Sequence, residues 1–110
     1  MSRQPLIFDI YINSRGRVHD PDCRKTISIA GQEEVKWFAT SGGPFEIRFP
    51  ERNPFPNLAK LKKVKVRPGK PVQSGPAGAG TAGPHKYEVW DVSKSADGER
   101  KDDPDVLIEN

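Results

Sequence analysis

Apolar and polar residues alternate in several short stretches of the chain, and this alternation constrains the fold more than any other feature. In PFEIRF, Phe45, Ile47 and Phe49 fall on one side, and Glu46 and Arg48 fall on the other. A period of two residues is typical of a β-strand with one buried face. The sequence therefore predicts further strands in LIFDIYIN, KTISIA, VKWFAT, VKVRPGKPV, KYEVWDV and PDVLIEN.

Proline and glycine are frequent between these stretches, with eleven prolines and ten glycines in 110 residues. Both residue types mark turns, and proline disfavours long helices. LAKLKK is long enough for one helical turn, and residues 93–103 are predicted as a polar loop. We predict one domain over residues 1–110, an all-β antiparallel β-sandwich of seven to eight short strands.

The composition also limits the compartment in which the chain is expected. A single cysteine, Cys23, excludes an intramolecular disulfide and a four-cysteine zinc site. A lone free cysteine fits a reducing compartment, and the N-terminal residues lack the continuous apolar stretch of a signal peptide. No segment approaches the roughly 20 apolar residues that a membrane helix needs. We therefore expect a cytoplasmic protein with no membrane association.

A basic stretch without acidic residues occupies residues 58–72, although the net charge of the chain is only +3. Its six cations are Lys60, Lys62, Lys63, Lys65, Arg67 and Lys70. They could bind an anionic partner such as nucleic acid, although the stretch lacks interleaved aromatic residues on which bases stack. The interpretation we favour is that the lysines prevent an exposed edge strand from pairing with other chains.

GAGTAG at residues 78–83 matches G-x-G-x-x-G, the glycine pattern of dinucleotide-binding sites. That pattern functions between a strand and a helix, because the helix N-terminus binds the pyrophosphate. Here Pro84 and a predicted strand follow the glycines, which argues against dinucleotide binding. We interpret residues 74–84 as a flexible glycine-rich loop between two strands.

Two small groups of residues raise other possibilities. His19, Asp20, Asp22 and Cys23 lie close enough to suggest a metal site or a Cys–His nucleophile pair. We favour an ordinary turn, because a tight loop rarely points four such side chains at one position. His85, beside the glycine-rich loop, is interpreted as a solvated loop histidine.

Trp37 and Trp90 both lie on predicted strands. We expect one to fill the core and the other to be partly exposed, and the sequence does not decide between them. An exposed tryptophan near the glycine-rich loop would be a good anchor for a protein partner. The predicted partner-binding residues are therefore His85, Trp90 and Trp37.

GGPFEIRF and YEVWD resemble two segments of the cupredoxins. In that family, the first segment carries a copper-binding histidine after its proline, and the second carries the copper-binding cysteine. Phe45 stands at the histidine position and Asp91 at the cysteine position. VRPGKPVQSGP and DPDVLIE extend the similarity, over residues 35–110, to small bacterial cupredoxin-like proteins of unassigned function. The resemblance implies a Greek-key sandwich in which Phe45 packs in the core.

The resemblance also indicates that the chain has no copper. A blue-copper site needs two histidines, a thiolate and usually a weak thioether ligand, and the loop after Asp91 contains neither histidine nor methionine. We therefore expect a binding module without catalytic activity or cofactor, which binds another protein as a monomer or weak homo-oligomer. The alternative is an anion-binding or nucleic-acid-binding protein that uses residues 60–70.

Overall fold

The computed structural model describes residues 6–19 and 23–110, which form short β-strands almost throughout. The strands are β1 (Ile7–Ile12), β2 (Arg24–Ser28), β3 (Glu34–Ala39), β4 (Phe45–Arg48), β5 (Val64–Val66), β6 (Val72–Gln73), β7 (Gly83–Lys86), β8 (Glu88–Asp91), β9 (Glu99–Asp102) and β10 (Asp105–Glu109). The single helix in these residues, α1 (Pro56–Ala59), is one turn long. No described helix is long and apolar enough to cross a membrane.

The strands form three sheets, with the orders β1-β3-β6, β2-β10-β7 and β5-β4-β8-β9. The second and third sheets are joined through the chain, because only Tyr87 separates β7, in the second, from β8, in the third. Trp37 of the first sheet packs edge-on against Tyr87, with ring centroids 5.5 Å apart. The first sheet therefore lies against the layer that the other two form, which confirms the predicted all-β sandwich.

Alternate side chains of every sheet meet in one core, as the period of two predicts. Trp37, Tyr87, Phe45 and Phe55 are its largest fully buried side chains. Trp37 contacts Phe55 as well as Tyr87, with centroids 6.2 Å apart. Each such aromatic pair contributes about 0.5–1.5 kcal/mol beyond the burial of its area. The aromatic cluster therefore joins the two layers of the sandwich.

Strand direction differs from the prediction in two pairings. β1 pairs with β3 in parallel, and β10 pairs with β2 in parallel; the other strand pairings are antiparallel. Consecutive strands β1 and β2 lie in different sheets, so each pairs with a strand from farther along the chain. Alternation identifies the buried face of a strand but carries no information on the direction of its neighbour.

The strand count also differs, because the residues that the structure describes form ten strands where seven to eight were predicted. β9 occupies part of residues 93–103, which were predicted as a polar loop. Its sequence, ERKD, has no apolar residue and therefore no alternation to detect. β9 is an edge strand that forms by backbone pairing with β8. β7 likewise begins inside the predicted glycine-rich loop.

Candidate functional site

The two positions that the cupredoxin resemblance equates with copper ligands lie side by side. Phe45 on β4 and Asp91 on β8 are Cα partners in the antiparallel ladder. Phe45 is fully buried, as predicted. Its ring lies beneath two glycine-containing turns, since a Cβ built on Gly16 would be 3.1 Å from Cε1 of the ring and one on Gly43 would be 3.0 Å from Cδ2. The first ligand position is therefore filled by apolar packing.

The carboxylate of Asp91 is held by the loop that follows it. Its Oδ1 accepts a hydrogen bond of 2.9 Å from the backbone N–H of Ser93. Hydrogen bonds from the Ser93 side chain and backbone lower the pKa of Asp91 below its usual value, with smaller contributions from Lys101 and Lys94. A hydrogen-bonded carboxylate and a buried phenyl ring do not match the thiolate and imidazole of a blue-copper site. In residues 6–19 and 23–110, no three His, Cys, Asp or Glu side chains are grouped to hold a metal.

A second group of polar side chains covers the solvent side of the third sheet. Glu46 is the register partner of both Lys65 and Trp90, and Trp90 is the partner of Arg100. Arg48 and Glu88 form the next pair along the same two central strands. We call this surface the outer face; it consists of Glu46, Arg48, Lys65, Glu88, Trp90 and Arg100.

Arg48 is the centre of the outer face. Its guanidinium carbon lies 4.3 Å from the centroid of the Trp90 ring, which is a cation–π contact. Its Nε donates to Oε1 of Glu46 over 2.8 Å, and its Nη2 donates to the carbonyl of Asp97 over 3.2 Å. Glu46 is only 6% exposed, and its Oε2 has no hydrogen-bond partner. Arg48 therefore compensates a largely buried carboxylate and stacks on an aromatic ring.

Trp90 is fixed in orientation and remains half-buried. Its Nε1 donates to Oε1 of Glu88 over 3.0 Å. The other carboxylate oxygen of Glu88 accepts from Nη1 of Arg100 over 3.2 Å. The expectation that one tryptophan is partly exposed is thus met by Trp90.

Trp37 is the tryptophan of the core, with no exposed surface. Its partners are the aromatic rings of Phe55 and Tyr87. It was a predicted partner-binding residue, and the structure corrects this, because a fully buried side chain cannot contact a partner. VKWFAT has apolar residues in both registers, so the sequence could not show which face of β3 is buried.

His85 and Trp90 lie on two consecutive strands that only Tyr87 separates. His85 is on β7 in the second sheet, and Trp90 is on β8 in the third. The ring nitrogens of His85 lie 2.6 Å from the carbonyl of Thr81 and 3.3 Å from that of Arg52. That the loop, His85 and Trp90 form one partner-binding surface stays a prediction.

The glycine-rich loop packs on the segment before α1. The N–H of Gly78 donates to the carbonyl of Pro54 over 2.9 Å, and the hydroxyl of Thr81 donates to the carbonyl of Gly78 over 2.6 Å. A strand, β7, begins at Gly83, the last of these glycines. The helix that a dinucleotide site would need is therefore replaced by a strand. The flexibility of the loop stays a prediction.

The remaining sequence candidates are the His19–Cys23 group and the basic stretch. His19 is exposed and Cys23 is half-buried, while Asp20 and Asp22 lie outside the described residues. The cations of the basic stretch are all exposed. β5, which carries Lys65, is an edge strand, as the edge-protection interpretation requires. Anion binding by this stretch stays a prediction.

Comparison with known proteins identifies the fold. No protein-family model matches the chain, and no curated protein sequence matches it. Among solved structures, a novel purple cupredoxin from Nitrosopumilus maritimus is similar, with a TM-score of 0.56 and 15% sequence identity. The match covers 93% of this chain and 99% of that chain. The chain therefore has the all-β sandwich fold of a cupredoxin-like protein.

Proposed function

We propose that this chain is a non-catalytic, copper-free binding module, and that it binds another protein through the outer face. The observation that carries the proposal is the Arg48–Trp90 stack, held in place by Glu46 and Glu88. Tryptophan and arginine are the residue types most often found at binding hot spots. A rigid pair of this kind loses little side-chain entropy on binding.

The charges of the outer face support recognition of a polar protein surface. The order of side chains across the sheet is Lys65, Glu46, Trp90 and Arg100. Cations therefore stand at both ends, with a carboxylate and an indole between them. Alternating charges of this kind fix the register of a partner and reject surfaces of the wrong sign.

The copper-free part of the proposal rests on the side chains at the two positions that the resemblance equates with copper ligands. Phe45 supplies no ligand atom, and Asp91 supplies an oxygen where the fold family uses a thiolate. We expect no intense thiolate-to-copper absorption band when purified protein is mixed with Cu(II). A band with one copper per chain would contradict this part of the proposal.

The partner-binding part can be tested by affinity capture with a matched pair of variants. Trp90→Ala with Lys65→Glu alters the outer face. Phe38→Ala with Lys36→Glu alters a similar aromatic–cation pair on the first sheet, where Lys36 Nζ lies 5.4 Å from the Phe38 ring centroid. We expect the wild type and the Phe38 variant to capture the same protein, and the Trp90 variant to lose it. Circular dichroism must show that both variants are folded.

Retention of that protein by the Trp90 variant would show that the outer face is not the binding surface. If the Trp90 variant still captured that protein and the Phe38 variant did not, the binding surface would lie on the first sheet.

A further inference from the structure

A basic pocket lies at the end of the sandwich where Asp91 is found. It is an open cavity of about 570 Å³, which we call the loop-end pocket, lined by Ser14, Arg15, Arg17, Asp91, Glu99, Arg100 and Lys101. A second depression of about 250 Å³ shares Asp91, Glu99 and Lys101 with it and adds Lys94. Five cations and two carboxylates line the two depressions together, which leaves a surplus of three positive charges.

The acidic residues of the pocket are already engaged. Glu99 forms an ion pair of 3.2 Å with Lys101, and Asp91 accepts the N–H of Ser93. By contrast, no carboxylate in residues 6–19 and 23–110 forms an ion pair with Arg15 or Arg17. Within the described part of the chain, the pocket therefore presents two guanidinium groups without a counterion.

The turn that carries the two arginines is fixed before any ligand binds. Oδ1 of Asn13 accepts the backbone N–H of Arg15 over 2.9 Å and that of Arg17 over 3.1 Å. Gly16, between them, has φ +79° and packs so closely on Lys101 that an added Cβ would be 2.7 Å from its Cβ. The turn thus holds both arginines beside a third cation.

We propose that the loop-end pocket binds phosphate groups, and that its ligand carries at least two of them. Arginine guanidinium groups bind phosphate oxygens through paired, charge-assisted hydrogen bonds. A volume of about 570 Å³ falls in the range of small-molecule sites and exceeds what one phosphate fills. Arg15 and Arg17 provide the guanidinium groups, Lys101 the ammonium group and Ser14 a hydroxyl. The site shares Arg100 with the outer face, but Arg100 is paired with Glu88 and is not one of the groups proposed to bind phosphate, so the two proposals can fail separately.

The test is a titration of isotope-labelled protein with pyrophosphate, followed by amide chemical shifts and calorimetry. We expect saturable binding with shifts at residues 13–17 and 99–101. Arg15→Gln with Arg17→Gln should weaken binding by about a hundredfold, or about tenfold for each lost charge-assisted contact. Lys62→Gln with Lys65→Gln removes the same charge from the basic stretch and should change affinity less than about twofold. Both arginines are exposed, so the variant should keep its fold.

Several results would overturn the proposal. They are the absence of saturable binding to wild-type protein, equal weakening by the two double variants, and shifts confined to residues 60–70. A competition arm identifies the source of the phosphates. Displacement of pyrophosphate by a short single-stranded oligonucleotide would support the pocket as a binder of nucleic-acid phosphates. Failure to displace it would support the pocket as a binder of small phosphate compounds.

Discussion

Replacing Arg48 with methionine should destabilise the protein through the carboxylate that Arg48 compensates. Arg48 Nε is 2.8 Å from Oε1 of Glu46, whose side chain is only 8% exposed. The other oxygen of Glu46 has no hydrogen-bond partner. Methionine keeps most of the apolar stem that covers Trp90. Arg48→Met therefore mainly leaves a buried charge without a counterion.

The size of the effect follows from the exposure of the pair. Removing one partner of a fully buried ion pair lowers the free energy of unfolding by about 3–5 kcal/mol. The Arg48 side chain is 31% exposed, so water screens part of the interaction, and we expect a loss of about 2 kcal/mol. In a domain of this size that lowers the midpoint of thermal unfolding by roughly 6–12 °C.

A double-mutant cycle separates the ion pair from other effects of the substitution. Glu46→Gln alone should cost about 1 kcal/mol, and the double variant about 1.5 kcal/mol instead of the additive 3, because the uncompensated charge is absent. Urea unfolding followed by tryptophan fluorescence gives all four free energies, provided that the m-values agree. Additivity within about 0.5 kcal/mol would refute the coupling that the geometry implies.

Two further predictions concern the end of the sandwich that carries the loop-end pocket. Gly16→Ala should lower the free energy of unfolding in urea by about 2–3 kcal/mol, and Gly69→Ala by about 1 kcal/mol. Both glycines have positive φ, but of the two only Gly16 has atoms within 4 Å of an added Cβ, so equal losses would contradict the packing on Lys101. The lowered pKa of Asp91 means that its stabilising contribution is complete above the unfolded-state pKa and is lost as the pH falls through the folded-state pKa. Asp91→Asn should therefore flatten the decline of urea midpoints below about pH 4, and an unchanged decline would contradict the hydrogen bonding by Ser93.

The local features of the fold could be predicted because each depends on neighbouring residues. Alternation predicted β4 and the inward side of Phe45. Pro84 and the residues after it predicted a strand where a dinucleotide site would need a helix. Parallel pairing could not be predicted, because it depends on which distant strand becomes the neighbour. β9 was missed because an edge strand held by backbone pairing needs no apolar side chain.

The site was less predictable than the fold, because its contacts cross between strands. Trp90 was identified as a candidate, but its contact with Arg48 depends on the register of β4 against β8. The loop-end pocket could not be predicted because Arg15 and Arg17 follow the first predicted strand without a motif of their own, and their neighbour Lys101 lies more than eighty residues away in the sequence. The two arginines beside an Asn-stabilised turn were the only local signal.

The short junction at Tyr87 determines where the chain can change in length. Only this residue separates β7 from β8, and β7 is aligned by β10 through pairs such as His85 with Val106. An inserted residue at the junction would exchange the inward Val89 and the outward Trp90, since side chains alternate. An insertion in the glycine-rich loop before Gly83 would leave that alignment intact, because the pairing with β10 begins at Gly83. The loop can therefore vary in length during evolution while the tryptophan keeps its position on the surface.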